Sequence, residues 1–280
     1  MWKIDKPLLE EAIDDIRNII SESNGVITIN DAPHISYIYR LYERNGGMID
    51  EANNNRCRKE VLEKLESLYS NKTYEGNKFF YIRQALFRLV DFCPMCGFGE
   101  PNQLDHYMPK SQYKSLSLCR LNLVPVCSVC NNKKRDKEYH LFIHPYYVKF
   151  PQNTIFLTAN IHVNEHKHVF SWKYSIDVKG LEKGLAEKIN SQVSAIKLLS
   201  RLQRASNIFL SEQFCHMVFY SDKSLKDYLK SQMNKMIHLY GLNDWRSALL
   251  RALLLSSKFK KEEANLFAKM VKPANSGVNV

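Results

Sequence analysis

Apolar residues recur at helical spacing over residues 7–24, where Leu8, Leu9, Ala12, Ile13, Ile16, Ile19 and Ile20 form one stripe and Gly25 closes it. Asp5 and Pro7 suit the start of that helix, because N–H groups of the first turn have no intrahelical acceptor. The same period predicts a helix over 33–44, stopped by Gly46-Gly47, and a charged one capped by Asp50 and running to Tyr69. A further helix covers 78–92. The period then changes to two. Residues 154–163 (TIFLTANIHV) and 168–178 (HVFSWKYSIDV) alternate apolar with polar and are rich in β-branched and aromatic side chains. They read as a β-hairpin with a polar turn around Asn164–Lys167. From Leu181 the helical period returns, over 181–209, 212–240, 243–256 and 260–271, and the last eight residues, PANSGVNV, read as a frayed end. No repeat or low-complexity linker interrupts the chain. The expected class is α+β, mainly helical: a helical region over 1–89, a small cysteine-bearing centre over 90–150, and a hairpin with basic helices over 151–280.

Hydrophobic residues make up 45% of the chain and charged ones 25%, ordinary values for a globular protein with a core. No apolar run approaches the roughly 20 residues of a membrane span. The acidic, amphipathic start MWKIDKPLLEEAIDD is unlike a signal peptide, so a cytoplasmic protein without membrane attachment is expected. The formal net charge is +11, and it is uneven: residues 1–50 carry 5 Lys/Arg against 9 Asp/Glu, residues 151–280 carry 19 against 10. A basic surface suits a polyanion, because each Lys or Arg near a phosphate releases a condensed counterion. Many basic proteins bind no nucleic acid, so charge alone leaves both readings open.

The seven cysteines change the picture. Cys119 and Cys215 lie among apolar neighbours and read as core thiols, and Cys57 suggests no role. The other four form two CxxC pairs, Cys93-Pro-Met-Cys96 and Cys127-Ser-Val-Cys130, 30 residues apart. Each pair sets two sulfurs on one tight turn, and two pairs complete a closed tetrahedral zinc site of structural type. Gly97 gives the backbone room to turn beneath the metal. Nothing around either pair resembles a thioredoxin-type βαβ unit, which argues against a redox role.

Between the pairs stands LDHYMPKS, from Leu104 to Ser111; Asn122 then opens NLVPVC, a short strand into the second knuckle, and Asn131-Asn132-Lys133-Lys134 follows Cys130, where a helix should begin. Together these motifs resemble the HNH nuclease superfamily of the ββα-metal fold, over roughly residues 90–145. The resemblance implies a metal-dependent endonuclease that hydrolyses DNA, leaving 5′-phosphate and 3′-hydroxyl ends. It makes His106 the general base. Asp105 and Asn131 become the ligands of a catalytic Mg2+ or Mn2+, and Asn122 the residue that holds the loop. The last position is asparagine, so this is an HNN variant; a carboxamide oxygen suits a hard cation. His106, with an ordinary pKa near 6.5, is of the residue type such a base needs. Lys134 and Lys110 are candidate phosphate-binding residues. His140 and His144 are alternatives to Asn131 as ligand. The aromatic run Tyr139, Phe142, Tyr146, Tyr147 and Phe150 reads as core.

Lysines and arginines at helical spacing after residue 181, among them Lys183, Lys188, Lys197, Arg201 and Arg204, either form a solvated face or extend a DNA groove. The expected setting is a bacterial restriction or phage-defence effector, gated by a protein partner, with the oligomeric state open. The alternative is a catalytically inactive, zinc-stabilised DNA-binding or scaffold protein.

Overall fold

The computed structural model describes residues 2–270 apart from 136, 165, 168 and 218, with no side chain described at 215 or 268–270. The tail PANSGVNV and the thiol of Cys215 therefore lie outside the described residues. Five helices come first: α1 (Leu9–Glu22), α2 (Ala32–Arg44), α3 (Glu51–Asn54), α4 (Lys59–Lys72) and α5 (Phe80–Phe87). Strands β1 (Gln103–His106) and β2 (Leu123–Val126) pair antiparallel, and α6 (Ser128–Lys134) follows. A second antiparallel pair, β3 (Leu157–Asn164) and β4 (Val169–Ile176), precedes α7 (Lys183–Ala195), α8 (Leu198–Met217), α9 (Asp222–Tyr240), α10 (Trp245–Leu255) and α11 (Lys261–Met270). The fold is mainly helical with two small two-stranded sheets, as the periodicity predicts.

Several boundaries differ from the sequence expectation. Asp50 does cap a helix, its carboxylate accepting from Asn53 N at 2.7 Å, but that helix ends at Asn54 and a new one starts at Lys59. The side chain of Asn54 turns inward instead: its Oδ1 accepts from Ser115 N and Oγ, and its Nδ2 donates to Gln112 O. Tertiary hydrogen bonds have won over local propensity here. The helix predicted over 181–209 is broken at Lys197, where φ is +51°, and α8 continues past the predicted stop at 210–211 to Met217. Ser211 does not end it, because its hydroxyl bonds back to Asn207 O within the helix. Helix α9 begins only at Asp222, where Ser221 and Ser224 form a reciprocal capping box.

The chain divides into two compact units, Met1–Lys149 with Glu187–Ile196, and Phe150–Ala186 with Lys197–Val280. In the first, α1 packs on α2, and α4 on the turn at Lys114–Leu116, burying Ile16, Ile19, Ile35, Ile38, Val61 and Leu65. Arg120, just before β2, is buried and donates from Nε and Nη2 to both oxygens of buried Asp15 on α1, at 2.7 and 2.9 Å. That fork ties the N-terminal helices to the segment entering the second strand. In the second unit the inner face of the β3–β4 hairpin, Ala159, Ile161, Val163, Phe170, Trp172 and Tyr174, packs on α8, α10 and α11.

Candidate metal centre and active site

The four cysteines Cys93, Cys96, Cys127 and Cys130 are buried, and their sulfurs lie within 4.8 Å of one another. The first knuckle closes where Gly97 N donates to Cys93 O at 2.8 Å with φ of +74° at Gly97, the left-handed conformation that glycine adopts without strain. Cys93 N in turn donates to Gly99 O, and Gly99 N points at Cys96 Sγ, at 3.4 Å. A Cβ on Gly99 would stand 2.9 Å from Cys127 Sγ and 3.3 Å from Cys96 Sγ, so only glycine lets the backbone lie against the sulfurs. In the second knuckle Cys130 N donates to Cys127 Sγ at 3.4 Å, which caps α6 two residues earlier than the sequence suggested. Hydrogen bonds from Cys130, Cys93 and Cys96 hold the Cys127 thiol well below its ordinary range, and Cys130 is pushed well above it, first by Cys127. Four sulfurs this close cannot all ionise without a cation among them, and N–H groups aimed at sulfur favour thiolate. A buried four-thiol set of this spacing fits Zn2+.

The knuckles bracket a strand whose two faces differ. Asp105 pairs with Val124 across the hairpin and His106 with Leu123. Gln103 and Asp105 face α6: Asn131 Nδ2 donates to Gln103 Oε1 at 2.7 Å, and Lys134 Nζ donates to Asp105 Oδ2 at 2.6 Å. Lys134 is only 4% exposed and also donates to the carbonyls of His106 and Tyr107, at 3.1 and 3.3 Å. Its ammonium thus lies along the strand rather than in solvent, where a phosphate would meet it. Burial raises the Asp105 carboxyl above its ordinary value, and the Lys134 charge opposes that rise.

His106, on the other face, lies edge-on to Tyr69 with ring centroids 4.3 Å apart. Its Nε2 is 3.0 Å from Ser117 O. A carbonyl can only accept, so in the neutral ring Nε2 carries the proton and the lone pair is on Nδ1. Burial pushes the ring's pKa down to about 3, helped by the charges of Lys110 and Lys134. The ring is therefore neutral throughout the physiological range. Lys110 stands on this face, its ammonium 5.4 Å from the Tyr69 ring and donating to Ser70 Oγ at 2.8 Å.

Asn122 is fully buried. Its Oδ1 accepts from Met108 N at 2.8 Å and its Nδ2 donates to Met108 O at 3.1 Å, pinning the turn just past His106. Tyr42 of α2 donates to the same Oδ1 at 2.9 Å and also lies 2.9 Å from His144 Nε2. His144 is thereby engaged in the core beneath the loop. His140 stands elsewhere, beside Glu138 and half exposed. Sequence spacing carries no sign of Tyr42, Tyr69, Gln103 or the support role of His144, since each meets its partner across a long stretch of chain.

The HNH endonuclease family model matches residues 93–137. This segment is an HNH domain. The chain is also 36% identical over 91 residues to Protein ea31 of Escherichia phage lambda, which covers 30% of this chain and 31% of that protein. The chain therefore spans about a third of the length of that curated relative. No solved structure matches. The matched segment contains both knuckles, the strand with Asp105 and His106, Asn122 and all of α6. Among the described residues, no helix is long and apolar enough to cross a membrane.

Proposed function

We propose that the protein is a metal-dependent DNA endonuclease working through this HNH domain. The observation that carries the reading is the division of one strand: His106 on one face, and Asp105 on the other together with Asn131 from α6. His106 Nδ1 takes a proton from the attacking water, and the Ser117 carbonyl keeps the ring in the tautomer that allows it. Asp105 Oδ1 and Asn131 Oδ1 are the oxygens left after Lys134 and Gln103 take their partners, a hard donor pair suited to Mg2+ or Mn2+. Such an ion, when bound, supplies charge neutralisation at the scissile phosphate and leaving oxygen. Asn122 holds the backbone after His106, and Lys110 binds a flanking phosphate. Lys134 orients Asp105 from one side and holds the end of the strand by its carbonyls, which differs from the phosphate contact its position in the sequence suggests. The domain division accompanying this reading gives residues 90–150 the chemistry, 151–280 the grip on DNA and 1–89 the support.

An unregulated DNA cutter damages its own host, so gating by a protein partner in bacterial defence or restriction belongs to the same proposal. The test is plasmid cleavage with Mg2+ or Mn2+. His106→Ala should remove cleavage while zinc content stays at the wild-type level and the chain stays folded, with a lower melting temperature from the lost Ser117 bond and Tyr69 contact; persistent cleavage would sink the assignment. One observation favours the second reading, an inactive zinc-stabilised binding protein: the Lys134 ammonium occupies one oxygen of Asp105. That reading predicts no saturable Mn2+ binding beyond the zinc, measured by electron paramagnetic resonance.

A further inference from the structure

The β3–β4 hairpin is sorted by its register into two chemically distinct faces. Leu157, Ala159, Ile161 and Val163 stand opposite Ile176, Tyr174, Trp172 and Phe170, and all eight are apolar or aromatic. On the other face Thr158, Asn160, His162 and Asn164 stand opposite Ser175, Lys173, Ser171 and Val169, with no carboxylate among them. The inner face is anchored: Trp172 Nε1 donates to Ser206 Oγ at 2.8 Å, Tyr174 OH donates to Trp245 O, and Phe170 packs against Phe214, Phe259 and Phe267. Asn243 fastens the entry, accepting from Phe156 N and Leu157 N and donating to Thr154 O. Thr158 and Ser175 bond to each other at 2.8 Å, and Asn164 Oδ1 accepts from Lys167 N to set the turn. Between them Asn160, His162, Ser171 and Lys173 form an exposed two-by-two patch.

We infer that this outer face is a base-reading ribbon that enters the major groove of B-form DNA, with Asn160, His162, Ser171 and Lys173 reaching the base edges. The inference rests on the endonuclease reading and gives it a source of target preference. A two-stranded ribbon fits a groove about 12 Å wide, and side chains two residues apart along a strand are about 6.8 Å apart, close to two base-pair steps. The residue types suit contact with base edges, since asparagine can bond adenine bidentately, lysine meets guanine, and serine serves either. Charge is complementary over the whole unit. Its residues, 150–186 and 197–280, carry 18 Lys/Arg against 9 Asp/Glu, most of the excess in a chain whose net charge is +11. The aromatic anchoring leaves little freedom to lose when the ribbon docks.

The test uses the full zinc-bound chain with His106→Ala and no added Mg2+ or Mn2+, so that binding is read without cleavage and without stripping the four-cysteine site. Selection from a random duplex pool should enrich a short shared motif. The triple variant Asn160→Ala, His162→Ala, Lys173→Ala changes only exposed residues, and its melting temperature checks the fold. It should lose the enrichment, with discrimination at the contacted pairs falling roughly 5- to 150-fold. Lys173→Ala alone should relax the preference at one position of the motif, where lysine meets guanine, and leave the preference at the other positions unchanged. Unchanged enrichment in a folded triple variant overturns the inference. So does equal loss on double-stranded RNA, whose major groove is too narrow for side chains to read, or the absence of any duplex affinity. With His106 restored, the triple variant should cut plasmid more slowly and without the sequence preference of the wild-type chain. Loss of enrichment in a folded variant supports the ribbon, whereas a wild-type chain that enriches a motif but never cuts leaves the ribbon standing and removes the endonuclease reading.

Discussion

Replacing Tyr42 with phenylalanine removes one oxygen from the buried chain His144–Tyr42–Asn122–Met108. The tyrosine has one hydroxyl hydrogen, and Asn122 Oδ1 can only accept, so that hydrogen goes to Asn122 at 2.9 Å. His144 Nε2, also 2.9 Å away, must then be the donor to Tyr42, which agrees with its Nδ1 accepting from Tyr146 N at 3.4 Å. Without the hydroxyl, Asn122 keeps Met108 N as a donor and loses a bond contributing about 1 kcal/mol, while the Nε2–H of His144, 5% exposed, is left without an acceptor at a cost of about 1–3 kcal/mol. Together the change should cost about 3 kcal/mol, or roughly 6–12 °C in the melting of the unit containing the HNH domain. Chemical denaturation followed by tryptophan fluorescence gives the number. Cleavage should also fall, because Asn122 sets the turn after His106, and kcat should suffer more than KM. A double-mutant cycle isolates the bond: in Tyr42→Phe with His144→Phe the stranded donor is gone, so the two costs should fall short of additive by about 1–2 kcal/mol. Additivity within 0.5 kcal/mol, or a Tyr42→Phe cost below that value, would refute the reasoning.

Cys127→Ser should reduce bound zinc from one ion per chain towards none and unfold the knuckles, measured by metal analysis and circular dichroism, since structural zinc binding contributes about 10 kcal/mol or more in small modules. Asp15→Ala leaves the buried Arg120 guanidinium with the half-exposed Glu11 carboxylate, 2.8 Å from Nη1, as its remaining acidic partner, and should cost about 3 kcal/mol of stability by urea titration, the low end for breaking a buried pair. His144 is held neutral far below its ordinary value of 6.5, chiefly by burial. Below that pH the unfolded ring binds a proton that the folded ring refuses, so stability is retained above 6.5 and lost as the pH falls. The expected slope is about 1.4 kcal/mol per pH unit from this one group, and His144→Asn should show a shallower decline in melting temperature between pH 7 and 5.

Much of this protein is written locally. Two CxxC turns, a glycine at φ of +74° after the first, and the DH and NLVPVC segments are short-range signals, because a metal knuckle and a four-residue strand are specified by neighbours in the chain. The alternation over 154–178 likewise fixes the hairpin and its apolar face, since a period of two admits only one partition of side chains. Tertiary structure alone decided which groups meet across distance. The end of α3 at Asn54 depends on Ser115, and the seating of Lys134 on Asp105 depends on the angle at which α6 crosses β1. The hold on Asn122 comes from Tyr42, 80 residues away, and from His144 beyond it. Hydrophobic periodicity tells a residue only that it is inside. Which buried donor finds which acceptor is settled by how helices and strands dock, because an unmatched polar group in the interior costs more than any local preference can offset.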